Sequence, residues 1–204
     1  MIDITQKYIP IGLRRSGQKI TPKVIFIVAH DTGNPGATAM NHYTYYNNTY
    51  NEAQVSAHTF IDDTSIVEII PQDEKAWHVR YNMNIDNQKY GYEANNSALG
   101  IELCYGGKID TQKAYNNYVE YIAHLCKKYN IDPKTNIIGH GALDPERRTD
   151  PDNALKTIGK NTQVLIQDII NVYSTKYNTG VNKVLEATNK EDLKNQIISL
   201  LKQL

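Results

Sequence analysis

The 204 residues of this chain suffice for one ordinary domain with a short appendage, and 40% hydrophobic against 22% charged residues is globular, not disordered, composition. Lysine plus arginine balances aspartate plus glutamate, 22 against 22, which excludes a protein that holds nucleic acid or an anionic membrane by bulk charge. The longest apolar run, around Val24–Ala29, falls far short of the ~20 residues that span a bilayer, so no membrane insertion is expected.

Met1–Tyr8 lacks the basic start and apolar stretch of a signal peptide, so synthesis in a cytoplasm is expected. Thr21-Pro22 then marks a boundary before Val24–Ala29, a β-branched apolar run that predicts a strand buried on both faces. Ala37–Tyr50 carries Met40, Tyr43 and Tyr50 at roughly helical spacing. Ala57–Ile61 and Ile66–Ile70 flank the polar turn Asp62-Asp63-Thr64-Ser65, a hairpin signal. Leu99–Tyr105 is a further apolar strand, ended by Gly106-Gly107. Tyr115, Tyr118, Val119, Ile122, Cys126 and Tyr129 share one helical face. Asn136–Gly139 predicts a short strand, and Asn161–Tyr177 a helix with Val164, Leu165, Ile169 and Val172 at helical spacing. Strands alternating with helices indicate a single α/β domain over residues 1–178, with a mixed central sheet flanked by helices.

Residues 179–204 form a separate tail. After Thr179-Gly180, the segment Thr188-Asn-Lys-Glu191 has the capping-box pattern of a helix start. Leu193, Ile197, Leu200, Leu201 and Leu204 then make an apolar stripe. A helix of about 15 residues is marginal alone in water, so the stripe must be buried, against the parent domain or in a homo-oligomer through residues 181–204.

The chemistry concentrates on histidines and two carboxylates. His30 follows the Val24–Ala29 strand and His140 follows Asn136–Gly139, and strand ends are where crevices form in open α/β sheets. Each alone is more often a packing residue, but a pair at equivalent strand ends suits zinc. Catalytic zinc keeps three protein ligands and one open position, so a third ligand is required. Asp144, Asp150 and Asp152 compete for that place, and spacing does not separate them. Asp144 and Asp150 each precede a proline, where turn chemistry is the plainer explanation. Glu102 interrupts the apolar strand Leu99–Cys104, and a carboxylate buried there needs a partner or a cation. It is either a general base facing a metal-bound water or a residue on the solvent face of an edge strand. Cys104 is a lesser ligand candidate and better read as a small buried hydrophobe. His124 lies with Glu120 and Lys128 on a polar helix face, and His42 reads as structural. His58 sits in the hairpin strand. Trp77, the only tryptophan, precedes His78, which suggests a cleft wall that stacks on sugar or peptide or a merely half-buried pair.

Five ordered segments resemble a known family. They are Ile20–Pro35 with its Val-Ala-His30, Ser56-Ala-His58-Thr-Phe-Ile, Ala76-Trp-His78, Asn96-Ser-Ala-Leu-Gly-Ile-Glu102, and Ile138-Gly-His140 with Arg148-Thr-Asp150-Pro. Together they are similar to the zinc-dependent N-acetylmuramoyl-L-alanine amidases of the type 2 family, which includes phage endolysins and bacterial autolysins and shares its fold with peptidoglycan recognition proteins. The resemblance covers residues 9 to 160 and leaves the tail outside. It implies that His30, His140 and Asp150 hold Zn2+, that Glu102 is the catalytic glutamate, and that Arg148 stands where the family commonly has a lysine. It places His58, Trp77 and His78 along the substrate groove. Ala57 stands where some relatives have a catalytic tyrosine, Val79 where glycine often follows Trp-His, and Asp152-Asn153 where glycine often follows Asp-Pro. The implied partner is peptidoglycan, both glycan strand and stem peptide. The implied reaction is cleavage of the amide between N-acetylmuramic acid and L-alanine, with a non-catalytic recognition module as the alternative. Action on the cell wall after release, through a holin if phage-borne, would follow.

Overall fold

The computed structural model describes residues 4–177 together with positions 190, 194 and 195, so the expectations for the tail otherwise lie outside the described residues. Six strands form the sheet: β1 (Ile4–Gln6), β2 (Phe26–Asp31), β3 (Thr59–Ile61), β4 (Ile66–Glu68), β5 (Ala98–Leu103) and β6 (Ile137–Gly139), in the order β1-β4-β3-β5-β2-β6. The predicted hairpin, β3 against β4, is antiparallel, whereas β1–β4, β3–β5, β5–β2 and β2–β6 are parallel. The sheet is therefore mixed, as the alternation of strands and helices indicates.

The two long apolar runs form neighbouring interior strands. Every residue of β2 is buried, and β5 is buried but for Glu102, which is half-buried. β2 begins two residues later than its apolar run and continues through His30 and Asp31, because β5 supplies ladder partners that far: His30 is paired with Glu102 and Asp31 with Leu103. His30 is thus the penultimate residue of a strand, not the residue after it.

Helix α1 (Ala39–Asn48) starts at a capping box in which Thr38 accepts from the Asn41 amide and Asn41 accepts from the Thr38 amide. Helices α2 (Ile85–Tyr90) and α3 (Ala94–Ser97) are too short to carry an apolar repeat, and the sequence does not announce them. Helix α4 (Thr111–Tyr129) is capped by Asp110, which accepts from the Lys113 amide, and ends at Asn130 in the left-handed region. Two further short helices, α5 (His140–Leu143) and α6 (Asp152–Lys156), precede α7 (Thr162–Tyr177). No helix among the described residues is long and apolar enough to cross a membrane.

Strand alternation sorts the core into two parts. Ile27, Ala29, Leu99, Ile101 and Leu103 belong to the larger one with Tyr118 and Ile122 of α4 and Leu165 and Ile169 of α7. Phe26, Val28, Ala98 and Ile138 belong to a smaller one with Val79, Ala94 and Leu143, closed by Phe26 stacked on Tyr90 at 4.0 Å. Two residues further along β2 and β5 on that second face stand His30 and Glu102, at the carboxyl ends of parallel strands.

Tyr118 ties the α4 layer to the site. Its buried hydroxyl accepts from the His30 amide at 3.1 Å and donates to the Ile101 carbonyl at 2.9 Å, fastening α4 to the paired strands β2 and β5. Tyr118→Phe removes those side-chain bonds while the ladder between β2 and β5 persists, and a loss of ~0.5–1.5 kcal/mol is expected in urea unfolding of the metal-free protein. An unchanged denaturation midpoint would show that the bridge contributes nothing.

Candidate metal centre and its cleft

Two strand ends and one loop bring the candidate ligands together. β6 lies beside β2 with Gly139 paired to Ala29, so His140, the next residue and the first of α5, stands beside His30. The loop after α5 then folds back: the Gly141 amide donates to the Asp150 carbonyl at 2.8 Å, and a Cβ at Gly141 would lie 3.1 Å from the Arg148 carbonyl oxygen. The Asp31 carboxylate anchors the far side of that loop, accepting from the amides of Gly33 and Ala154 and from the Asn153 side chain.

Of the three competing aspartates, the fold presents one to the histidines. Asp150 Oδ2 lies 3.0 Å from His30 Nδ1 and 3.1 Å from His140 Nδ1. Asp144 is buried and paired with Arg147, and Asp152 accepts from the amide and hydroxyl of Thr162 at the start of α7. His30, His140 and Asp150 are all buried, and one potential ligand atom of each lies within 4.8 Å of the others. Two imidazoles and a carboxylate with converging donor atoms fit a metal of the zinc type, with room for one more ligand on the cleft side.

The electrostatics favour a neutral His30 and an ionised Asp150. Burial lowers His30 to a pKa of about 4 despite the Asp150 carboxylate beside it. For Asp150, burial acts upward, but hydrogen bonds from His140 and His30 outweigh it and hold the carboxyl below the ordinary range. Glu102 shifts the other way. Burial, then the charges of Asp150 and Asp31, push its carboxyl well above the ordinary value, with Arg148 opposing. It lies on a central strand, so the edge-strand reading falls, and its Oε2 is buried without a partner among the described residues.

These groups line one cleft of about 440 Å³, bordered also by Tyr46, Val55, Trp77, His78 and the exposed Arg148. Trp77 Nε1, His78 Nε2 and His140 Nε2 are likewise buried with no partner among the described residues. Such atoms carry a desolvation cost and mark a surface shaped for a polar ligand.

His58 does not reach the cleft. It is fully buried, its Nδ1 accepting from the Gly100 amide at 3.0 Å and its Nε2 donating to the Glu74 carbonyl at 2.9 Å, which leaves no free ring nitrogen. Its place is behind His78, with ring centroids 5.7 Å apart. His78 does line the cleft, and its Nδ1 is 3.1 Å from His30 Nε2. Cys104 is a buried free thiol, pushed well up by burial, as a small hydrophobe would be. His124 is exposed, and His42 is buried with its ring stacked on Phe60 at 4.8 Å.

Tyr46 is the cleft residue that sequence reasoning missed. It packs on Phe60 at 5.3 Å, with the Arg14 guanidinium 4.7 Å from its ring, and burial followed by the Glu102 charge pushes its hydroxyl pKa up. Its spacing of four from His42 along α1, one turn of helix, was the available signal.

Comparison with known proteins agrees with this geometry. Residues 21–153 match the family model described as N-acetylmuramoyl-L-alanine amidase. The chain is 30% identical to the N-acetylmuramoyl-L-alanine amidase XlyA of Bacillus subtilis over 204 residues, covering 94% of this chain and 64% of that protein. It is 31% identical to the N-acetylmuramoyl-L-alanine amidase BlyA of the same organism over 147 residues, covering 67% of this chain and 39% of that one. The chain therefore spans less than two thirds of the length of these relatives. The solved catalytic domain of XlyA superposes with a TM-score of 0.66 at 27% identity, over 82% of this chain and 99% of that domain.

Proposed function

The chain belongs to the N-acetylmuramoyl-L-alanine amidase family, and from that premise we propose that it hydrolyses the amide between N-acetylmuramic acid and L-alanine in peptidoglycan. The observation that carries the reading is the convergence of His30, His140 and Asp150 in a cleft where the neighbouring strand β5 presents Glu102. The donor set is assigned to Zn2+ held by His30 Nδ1, His140 Nδ1 and an Asp150 oxygen. Bound there, zinc would supply a water of pKa lowered toward ~7 and a Lewis acid for the scissile carbonyl.

The chain's own residues do the rest. Glu102, on the strand beside His30, takes the proton of the attacking water and returns it to the departing L-alanine nitrogen. Its raised pKa serves this exchange, since a carboxylate that holds its proton more tightly is the better base and can still release it to an amine. Arg148, exposed at the cleft rim and two residues before Asp150, faces the developing oxyanion with a charged donor. Trp77 and His78 line the wall along which glycan or stem peptide lies. The biological setting is that of an endolysin or autolysin acting on cell wall.

Arg148→Ala is expected to lower kcat by ~10–100-fold with little change in KM, the signature of an interaction made mainly in the transition state. Arg148→Lys should recover most of that loss, because charge is required more than the planar fork. A loss confined to KM would move Arg148 to substrate binding.

A digest of purified Gram-positive cell wall tests the whole reading. Newly freed L-alanine amino groups should rise without new reducing sugar ends, and a chelator should abolish the rise until zinc is restored. Wall binding without bond cleavage by zinc-loaded protein would make this a recognition module instead.

A further inference from the structure

His78 is held more firmly than a residue that only lines a groove requires. The Asn95 side chain accepts from the backbone amides of His78 and Val79, both at 3.0 Å, and donates back to the Val79 carbonyl at 2.6 Å. Beneath the ring lies Gly100, where a Cβ would fall 2.5 Å from His78 Cγ, so only glycine admits the imidazole there. His58 packs against the ring edge-on and is itself locked by Gly100 and Glu74. This buried scaffold aims His78 Nδ1 at His30 Nε2, at 3.1 Å and with the two rings nearly perpendicular at 87°.

A neutral imidazole carries one proton, on one nitrogen or the other. His30 directs Nδ1 at Asp150 and His140, the side on which a metal would bind, so that nitrogen must be bare for coordination. We propose that His78 is a positioning residue that accepts a hydrogen bond from His30 Nε2–H, so that His30 keeps its proton on Nε2 and offers Nδ1 to the metal. The inference rests on the metal-centre reading above and extends it to a residue that the ligand set does not include. The acceptor role requires the His78 proton on its own Nε2, which has no competing partner among the described residues. Outer partners of this kind set the orientation and basicity of a ligating histidine, and their loss costs ~10–100-fold in metal affinity.

Zinc affinity of the full chain, measured by competition with a chromophoric chelator, tests this in three proteins. Asparagine places a carbonyl oxygen near the position of His78 Nδ1 and can accept the same bond, whereas leucine has similar branching and size with no acceptor. His78→Leu should weaken zinc binding ~10–100-fold and His78→Asn should stay near the wild-type value. Equal affinities for the two variants, with the wild type binding one zinc, would overturn this inference alone. A wild type that takes up no zinc would overturn the metal-centre reading and this inference with it. Should His78→Leu fail to fold, nitrogen NMR of the histidine rings in the zinc-loaded wild type decides the matter. A proton on His30 Nε2 facing a bare His78 Nδ1 supports the role, and a proton on His78 Nδ1 overturns it.

Discussion

Glu102→Gln is expected to lower amide hydrolysis by about 10²–10⁴-fold, the range for loss of a positioned general base, while zinc content stays at the wild-type level. Glutamine keeps the shape and the burial but can neither take the proton of the attacking water nor hand it to the departing nitrogen. The same substitution should stabilise the metal-free protein at neutral pH. Burial and the nearby Asp150 and Asp31 charges raise the Glu102 pKa above its ordinary value of 4.5. A carboxyl whose folded pKa is raised favours the folded state while both states hold the proton and loses that contribution as pH rises. The variant should therefore match the wild type below about pH 4 in urea unfolding and exceed it increasingly above that. Wild-type rates in Glu102→Gln would remove Glu102 from the mechanism, and a stability gain independent of pH would contradict the burial argument.

Asp150→Ala is expected to abolish stoichiometric zinc and, with it, hydrolysis. Removing one of three protein ligands should exceed the ~100-fold upper cost of losing an outer partner. In the wild type, Asp150 Oδ2 alone meets both histidine Nδ1 atoms, so no neighbouring group can replace it. Saturating zinc should raise the melting temperature of the wild type by mass action and leave that of Asp150→Ala unmoved. Asp152→Ala is the control. It breaks the bonds to Thr162 that fasten α6 to α7, so it should lower stability yet retain zinc. Zinc retained in Asp150→Ala but lost in Asp152→Ala would reverse the ligand assignment.

The strands that hold the site were legible because apolar runs of this length have few other uses. Val24–Ala29 and Leu99–Tyr105 became neighbouring interior strands, and Asp62–Ser65 turned the hairpin that lies beside the second of them. The α4 stripe was equally plain, since Tyr118 and Ile122 recur at the helical period over 19 residues. β1, α2 and α3 complete no period, carry no apolar run and left no trace. His30 and His140 could be placed at strand ends from composition alone, because that is where each apolar run stops.

What the chain could not say by itself was direction and distance. Asp144, Asp150 and Asp152 lie within one short loop, and their roles separated only when Gly141 let the loop fold back and Arg147 and Thr162 engaged the other two. His58 and His78 read alike as groove residues, yet sheet pairing at Gly100 buried one behind the other. Glu102 was chemically conspicuous in an apolar strand, but only the register of β2 with β5 set it on the same face as His30. Residue types and periodicity thus determined the layers and the chemistry available, because burial acts on each segment locally. The tertiary fold alone decided which groups meet, because hydrogen-bond and ligand distances depend on segments up to 123 residues apart.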